Sequence, residues 1–126
     1  MRSSNAYAAY SQNNVSIESP EKLIEMLYEG ILRFVSQAKI AIECNNIEKR
    51  TYWINRATAI FTELLNSLNY SQGNVAHYLS GLYTRELQLL AQANLKNDTE
   101  ALDEVLNVTR QLLEAWRETT KIADLD

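Results

Sequence analysis

The sequence predicts an all-α protein: an antiparallel, up-down-up-down four-helix bundle behind an N-terminal arm. Three observations predict it. The 126 residues include only three glycines and one proline, so little of the chain is turn. Four amphipathic stretches of similar length are separated by short Asn- and Gly-rich breaks. No run alternates between apolar and polar with a period of two, so nothing reads as a strand. The length fits one domain, divided into an arm over residues 1–18 and a bundle over residues 19–126. Pattern alone does not fix association, so a three-helix or a dimeric eight-helix arrangement also stays open.

The arm carries Tyr7, Tyr10, Val15 and Ile17 among serines and asparagines with poor helix propensity. It is expected to be weakly held, with its aromatic side chains lying on an apolar groove of the bundle. Ser19-Pro20 opens the first helix. Serine can cap the free N–H groups, and proline suits the first helical position, where its missing N–H would be unpaired anyway. This helix runs from about Pro20 to Cys44, with Leu23, Leu27, Ile31, Phe34, Ala38 and Ala41 at helical spacing. Ile24, Tyr28, Val35 and Ile42 widen that stripe. Asn45 and Asn46 break it, and Asn45 with Glu48 reads as a capping box for the second helix.

In the second helix Ile47, Ile54, Thr58, Phe61, Leu65 and Leu68 share a face. The stretch from Asn69 to Asn74 contains Gly73 and ends it. The third helix places Val75, Leu79, Leu82, Leu89, Leu90 and Ala93 together. A further break runs from Asn94 to Asp98, where Asn97 with Glu100 reads as a second capping box. The fourth helix carries Leu102, Val105, Leu106, Thr109, Leu113 and Trp116, and the tail from Lys121 to Asp126 is expected to fray.

The apolar surface exceeds what a bundle helix needs, about three positions in seven. On the second helix Trp53, Ala57, Ile60 and Leu64 form an additional row beside the main stripe. On the fourth, Val108, Leu112 and Ala115 do the same. Such rows are either a wide stripe buried between two neighbouring helices or a groove that accepts a partner helix or an extended apolar segment. Trp53 and Trp116 are typical anchors for the second case.

Several function classes find no support. A net charge of −4 without a basic cluster argues against nucleic-acid binding. No apolar run approaches the ~20 residues of a membrane span, and the first residues lack an apolar signal core. The single Cys44 cannot form an internal disulfide, which suits a reducing cytosol. There is no glycine-rich phosphate loop, no metal-ligand pattern around the lone His77 and no nucleophile elbow, so no cofactor, metal or catalytic residue is expected. The run from Ala76 to Gly81 is faintly similar to histidine-phosphotransfer bundles, although Ser80 stands where those domains usually offer a lysine. Action through His77 is therefore the alternative function. Glu86 falls inside the third helix's apolar stripe, where a buried carboxylate needs a partner. Arg56 is the first candidate and a tyrosine hydroxyl the second, unless Glu86 reaches water at the stripe's edge.

Tyr7-x-x-Tyr10, then Val15, then the block from Ser19 to Gly30 with its Ser-Pro-x-x-Leu-x-x-x-Leu-Tyr core, resembles the start of the flagellin-specific export chaperones, the FliS family. The resemblance continues through Gln37-Ala38-Lys39, Ile54-Asn55-Arg56-Ala57, Glu63-Leu64-Leu65, Gly73, Leu82-Tyr83, Gln92-Ala93-Asn94 and Leu112-Leu113-x-Ala115-Trp116. It implies a non-enzymatic chaperone of the bacterial cytosol with an antiparallel bundle fold. Such a protein binds the disordered C-terminal segment of flagellin, prevents premature polymerisation and delivers it to the flagellar type III export gate. Docking of a co-chaperone or regulator is left open. The residues expected to contact flagellin are Tyr7, Tyr10, Val15, Leu27, Tyr28, Trp53, Ala57, Ile60, Leu64, Val108 and Leu112.

Overall fold

In the computed structural model, which describes residues 19–125, Ser19 caps the first helix as its position predicts. Its hydroxyl accepts from the Lys22 backbone N–H at 3.1 Å, and Pro20 occupies the first turn. Helix α1 spans Pro20–Glu43, α2 Ile47–Asn66, α3 Asn74–Lys96 and α4 Thr99–Leu125. A short 3-10 turn, Tyr70–Gln72, lies between α2 and α3. The described residues thus form an all-α four-helix bundle without strands. Helix α4 remains helical to Leu125, so the expected fraying from Lys121 is not seen.

The helices pack in a ring, α1 on α2, α2 on α3, α3 on α4 and α4 back on α1. Side-chain ties fix the antiparallel order. At one end Arg50 of α2 donates to Asn94 at 2.9 Å and to Asn97 at 2.6 Å, joining the start of α2 to the end of α3. At the other end the Trp116 indole N–H donates to the Glu21 carbonyl at 2.9 Å. Arg117 meets Glu25 and Glu29 beside it, at 3.2 and 2.9 Å, so the last helix closes on the first.

The Asn45-Asn46 and Asn97-Asp98 breaks share a left-handed asparagine followed by a capping residue, and both shift the predicted caps by one residue. Asn45 and Asn97 adopt left-handed backbone, with φ of 57° and 54°. Asparagine tolerates this region better than most residues. After α1 the Asn46 N–H donates to the Ala41 carbonyl at 2.8 Å and the Asn45 N–H to the Ile42 carbonyl at 3.0 Å. This is the Schellman pattern, which satisfies carbonyls that a helix end would leave free. The next residue then caps the following helix. Asn46 Oδ1 accepts from Lys49 N–H at 3.0 Å, and Asp98 Oδ1 from Ala101 N–H at 3.1 Å. The predicted capping residues Asn45 and Asn97 therefore end the preceding helices instead. Asp98 also accepts from Gln92, and these hydrogen bonds hold its carboxyl below the usual range. The third break uses Gly73 at φ 93° and ψ −151°, a conformation open essentially to glycine alone. We expect Asn46→Ala to lower stability by about 1 kcal/mol, the usual worth of a cap, and Asn45→Gly to cost nothing. Urea midpoints of the two variants check this.

The core is one cluster that includes Leu27, Ile31, Val35, Ile54, Phe61, Leu90, Leu102 and Val105. Helix α2 is rotated relative to the predicted face. Ile54, Ala57, Phe61 and Leu64 point inward, while Ile47 is 63% exposed. Val75 on α3 is likewise exposed, and Ala76, Tyr83 and Glu86 take the inward positions. Across the ring, the buried hydroxyls of Tyr28 and Tyr83 lie 2.6 Å apart. Burial raises the pKa of both, so the pair is neutral and one hydroxyl donates to the other.

Candidate functional site

On the outer side of the α1/α2 seam, aromatic rings from both helices gather at the surface. Phe34 of α1 stacks on Trp53 of α2, with centroids 5.6 Å apart and planes at 25°. Tyr52 sets its edge against Trp53 at 4.8 Å and is itself half exposed. The Arg56 guanidinium carbon lies 4.6 Å from the Phe34 centroid, 5.6 Å from that of Tyr52 and 6.0 Å from that of Trp53. Arg56 also donates to the Tyr52 hydroxyl at 2.8 Å. Helical spacing explains the group: Tyr52 and Arg56 are four apart, Trp53 and Arg56 three apart, so all share one face of α2. An open hollow beside the rings is lined by Leu32, Arg33, Phe34, Ser36, Gln37 and Trp53. Ile60 continues the seam and packs on the core from outside.

The structure divides the predicted contact residues. Trp53 and Ile60 are partly buried on this seam. Ala57 and Leu64, named with them as contacts for flagellin, are buried in the core, as are Leu27 and Tyr28. The reason is the rotation of α2, which turns Ala57 and Leu64 inward beside Phe61. Leu27 and Tyr28 sit on the inner face of α1, where Tyr28 is committed to Tyr83. None of these four presents a free surface. Val108 and Leu112 are partly buried on α4. Glu104, one turn before Val108, pairs with Arg85 of α3 at 2.9 Å, so this row lies on the α3 side of α4. In the ring, that seam is opposite the α1/α2 seam. Tyr7, Tyr10 and Val15, with the arm that carries them, lie outside the described residues. Sequence reasoning placed Phe34 in the core and did not single out Tyr52 or Arg56 for this surface. The spacing of Tyr52, Trp53 and Arg56 was the available signal.

Glu86 is fully buried, and neither carboxylate oxygen has a hydrogen-bond partner among the described residues. Arg56, the expected partner, is engaged on the outer α1/α2 seam. The nearest cation is the neighbouring Arg85, 3.9 Å from Oε2, which also pairs with Glu104. Burial pushes the Glu86 carboxyl up to about 7; Arg85 opposes this and Glu104 reinforces it. His77 is exposed, with its ring 5.1 Å from that of Tyr70. Among the described residues no group of three His, Cys, Asp or Glu side chains could hold a metal ion, and no helix is long and apolar enough to cross a membrane.

Comparison with known proteins finds similarity along nearly the whole chain. Residues 3–123 match the family described as Flagellar protein FliS. The flagellar secretion chaperone FliS of Campylobacter jejuni is 63% identical over 119 residues, covering 94% of this chain and 93% of that protein. The flagellar secretion chaperone FliS of Bacillus subtilis is 35% identical, over 90% of this chain and 85% of its own length. That of Salmonella typhimurium is 33% identical, over 90% and 86%. The phosphotransfer alternative finds no support among these similarities.

Proposed function

The chain belongs to the flagellar protein FliS family, and from that premise we propose that it binds the C-terminal segment of flagellin and holds it unpolymerised for export. It is a chaperone and not an enzyme. The work is done in the cytosol, and the complex is handed to the flagellar type III export gate. The observation that carries the choice of surface is the Phe34–Trp53 stack on the outer α1/α2 seam. Large aromatic side chains left partly open, next to a hollow and an arginine, have the composition of interaction hot spots.

The mechanism follows from the energetics of coupled folding and binding. A disordered apolar segment cannot bury its own side chains, but it can bury them against preformed seams. Part of that gain is spent on ordering the segment, so the complex can be tight enough to block self-association and still be released without nucleotide hydrolysis. The α3/α4 seam with Val108 and Leu112 is a second contact for a client long enough to wrap the bundle. We expect calorimetric titration with intact flagellin to give a complex and a negative heat-capacity change. Flagellin lacking its C-terminal few dozen residues should give none, and His77→Gln should bind as the unaltered chain does. Equal binding of truncated and intact flagellin would overturn the proposal.

A further inference from the structure

Arg56 differs from the other arginines that bridge elements of the bundle. Arg85 and Arg117 meet carboxylates, and Arg50 meets two asparagine side chains. Arg56 and its neighbour across the seam, Arg33, meet no carboxylate among the described residues. Both instead lie against Phe34, at 5.6 Å for Arg33 and 4.6 Å for Arg56. This leaves two positive charges together on a chain whose net charge is −4. A guanidinium carries five N–H donors in a fixed fork that suits a carboxylate. Among the described residues only one acceptor, the Tyr52 hydroxyl, is within reach of Arg56. The rings and that hydroxyl already restrict the side chain, so less freedom is lost when a ligand arrives. Glu63, seven residues further along α2, gives the seam the opposite sign beyond Ile60, and one of its oxygens is buried without a partner among the described residues.

We propose that Arg56, supported by Arg33, reads a carboxylate in the bound segment. An apolar side chain of the client lies on Phe34 and Trp53, and an aspartate or glutamate close to it in sequence accepts from the Arg56 guanidinium. The charge order along the seam, positive at Arg56 and negative at Glu63, makes one direction of the client chain favourable and the reverse unfavourable. This inference rests on the docking of flagellin at the α1/α2 seam and names the chemistry recognised there.

The test is a double-mutant cycle with the full chain and the C-terminal segment of flagellin as probe. On one side are Arg56→Met and Arg56→Lys, on the other single Asp→Asn and Glu→Gln changes in the probe. Arg56→Met is expected to weaken binding by about tenfold or more, as loss of a charge-assisted hydrogen bond does, and to flatten the dependence on salt. Arg56→Lys should restore the salt dependence but only part of the affinity, because ammonium lacks the fork. One carboxamide change in the probe should reproduce the loss and add nothing in the Arg56→Met background. Because the probe-side change leaves the bundle untouched, that arm holds even if Arg56→Met were to unfold. Additive losses, or no probe carboxylate whose removal matters, would overturn the inference. If Trp53→Asp binds normally as well, the docking surface itself is wrong; if Trp53→Asp abolishes binding while the cycle shows no coupling, only carboxylate reading fails.

Discussion

Replacing Glu86 with glutamine is expected to stabilise the bundle at pH 8 by roughly 3 kcal/mol more than at pH 5. The sign follows from proton counting. Glu86 titrates near 7 in the folded chain against an ordinary value of 4.5. Between those values the folded state holds a proton that the unfolded state has released, so stability falls as pH rises. Below 4.5 both states are protonated, and above 7 both are ionised, so the loss is confined to that window. Glutamine cannot ionise, and its profile lacks this slope. The groups that face the carboxyl are Arg85 on its own helix and Glu104 on α4; they oppose one another, which leaves burial as the main cause. Urea unfolding of both proteins at several pH values between 5 and 8 gives the comparison. Parallel profiles would mean that water or Arg85 satisfies the carboxylate in solution.

The second large effect separates surface from core on α2. Trp53→Asp is expected to leave the helical content unchanged and to weaken flagellin binding by about thirtyfold or more, the scale of an interface hot spot. Leu64→Asp, on the same side of the predicted row, is expected to cost more than about 4 kcal/mol of stability, because it places an unpaired charge in the core. Circular dichroism melts and calorimetric titration distinguish the outcomes. A folded Leu64→Asp variant, or a Trp53→Asp variant that binds normally, would show that the division of this helix into core and contact surface is wrong.

This division also marks the limit of what the sequence reveals. The four helices, their breaks at Asn45, Gly73 and Asn97, and the Ser19 cap are legible because each depends on local chemistry. The caps at Asn46 and Asp98 are missed by one residue. In an Asn-Asn or Asn-Asp pair either residue can cap, and only the closed backbone decides which takes the left-handed turn. The rotation of α2 is illegible for another reason. Ile54 and Phe61 belong to both candidate faces, and whether Ile47 or Leu64 joins them is settled by packing against α1 and α3. Trp53 and Ile60, half of the additional row, are partly buried against the core. The arginine beside them is not foreseen there, since the pairing of Arg56 with Glu86 looks reasonable in one dimension, whereas Arg56 lies on the outer α1/α2 seam and Glu86 is buried inside the bundle.

The ring order of the helices distributes the entropy of closure unevenly. Three seams join consecutive helices through short connections, so each forms at the expense of a small loop. The fourth, between α1 and α4, brings together Glu21 and Trp116, 95 residues apart. Closing a loop of that length costs roughly 2–3 kcal/mol more than closing one of a few residues. The Trp116 hydrogen bond and the Arg117 ion pairs stand where this penalty falls. The two hairpins, α1–α2 and α3–α4, are each held locally, while the joining of the first helix to the last depends on these contacts between residues far apart in the chain.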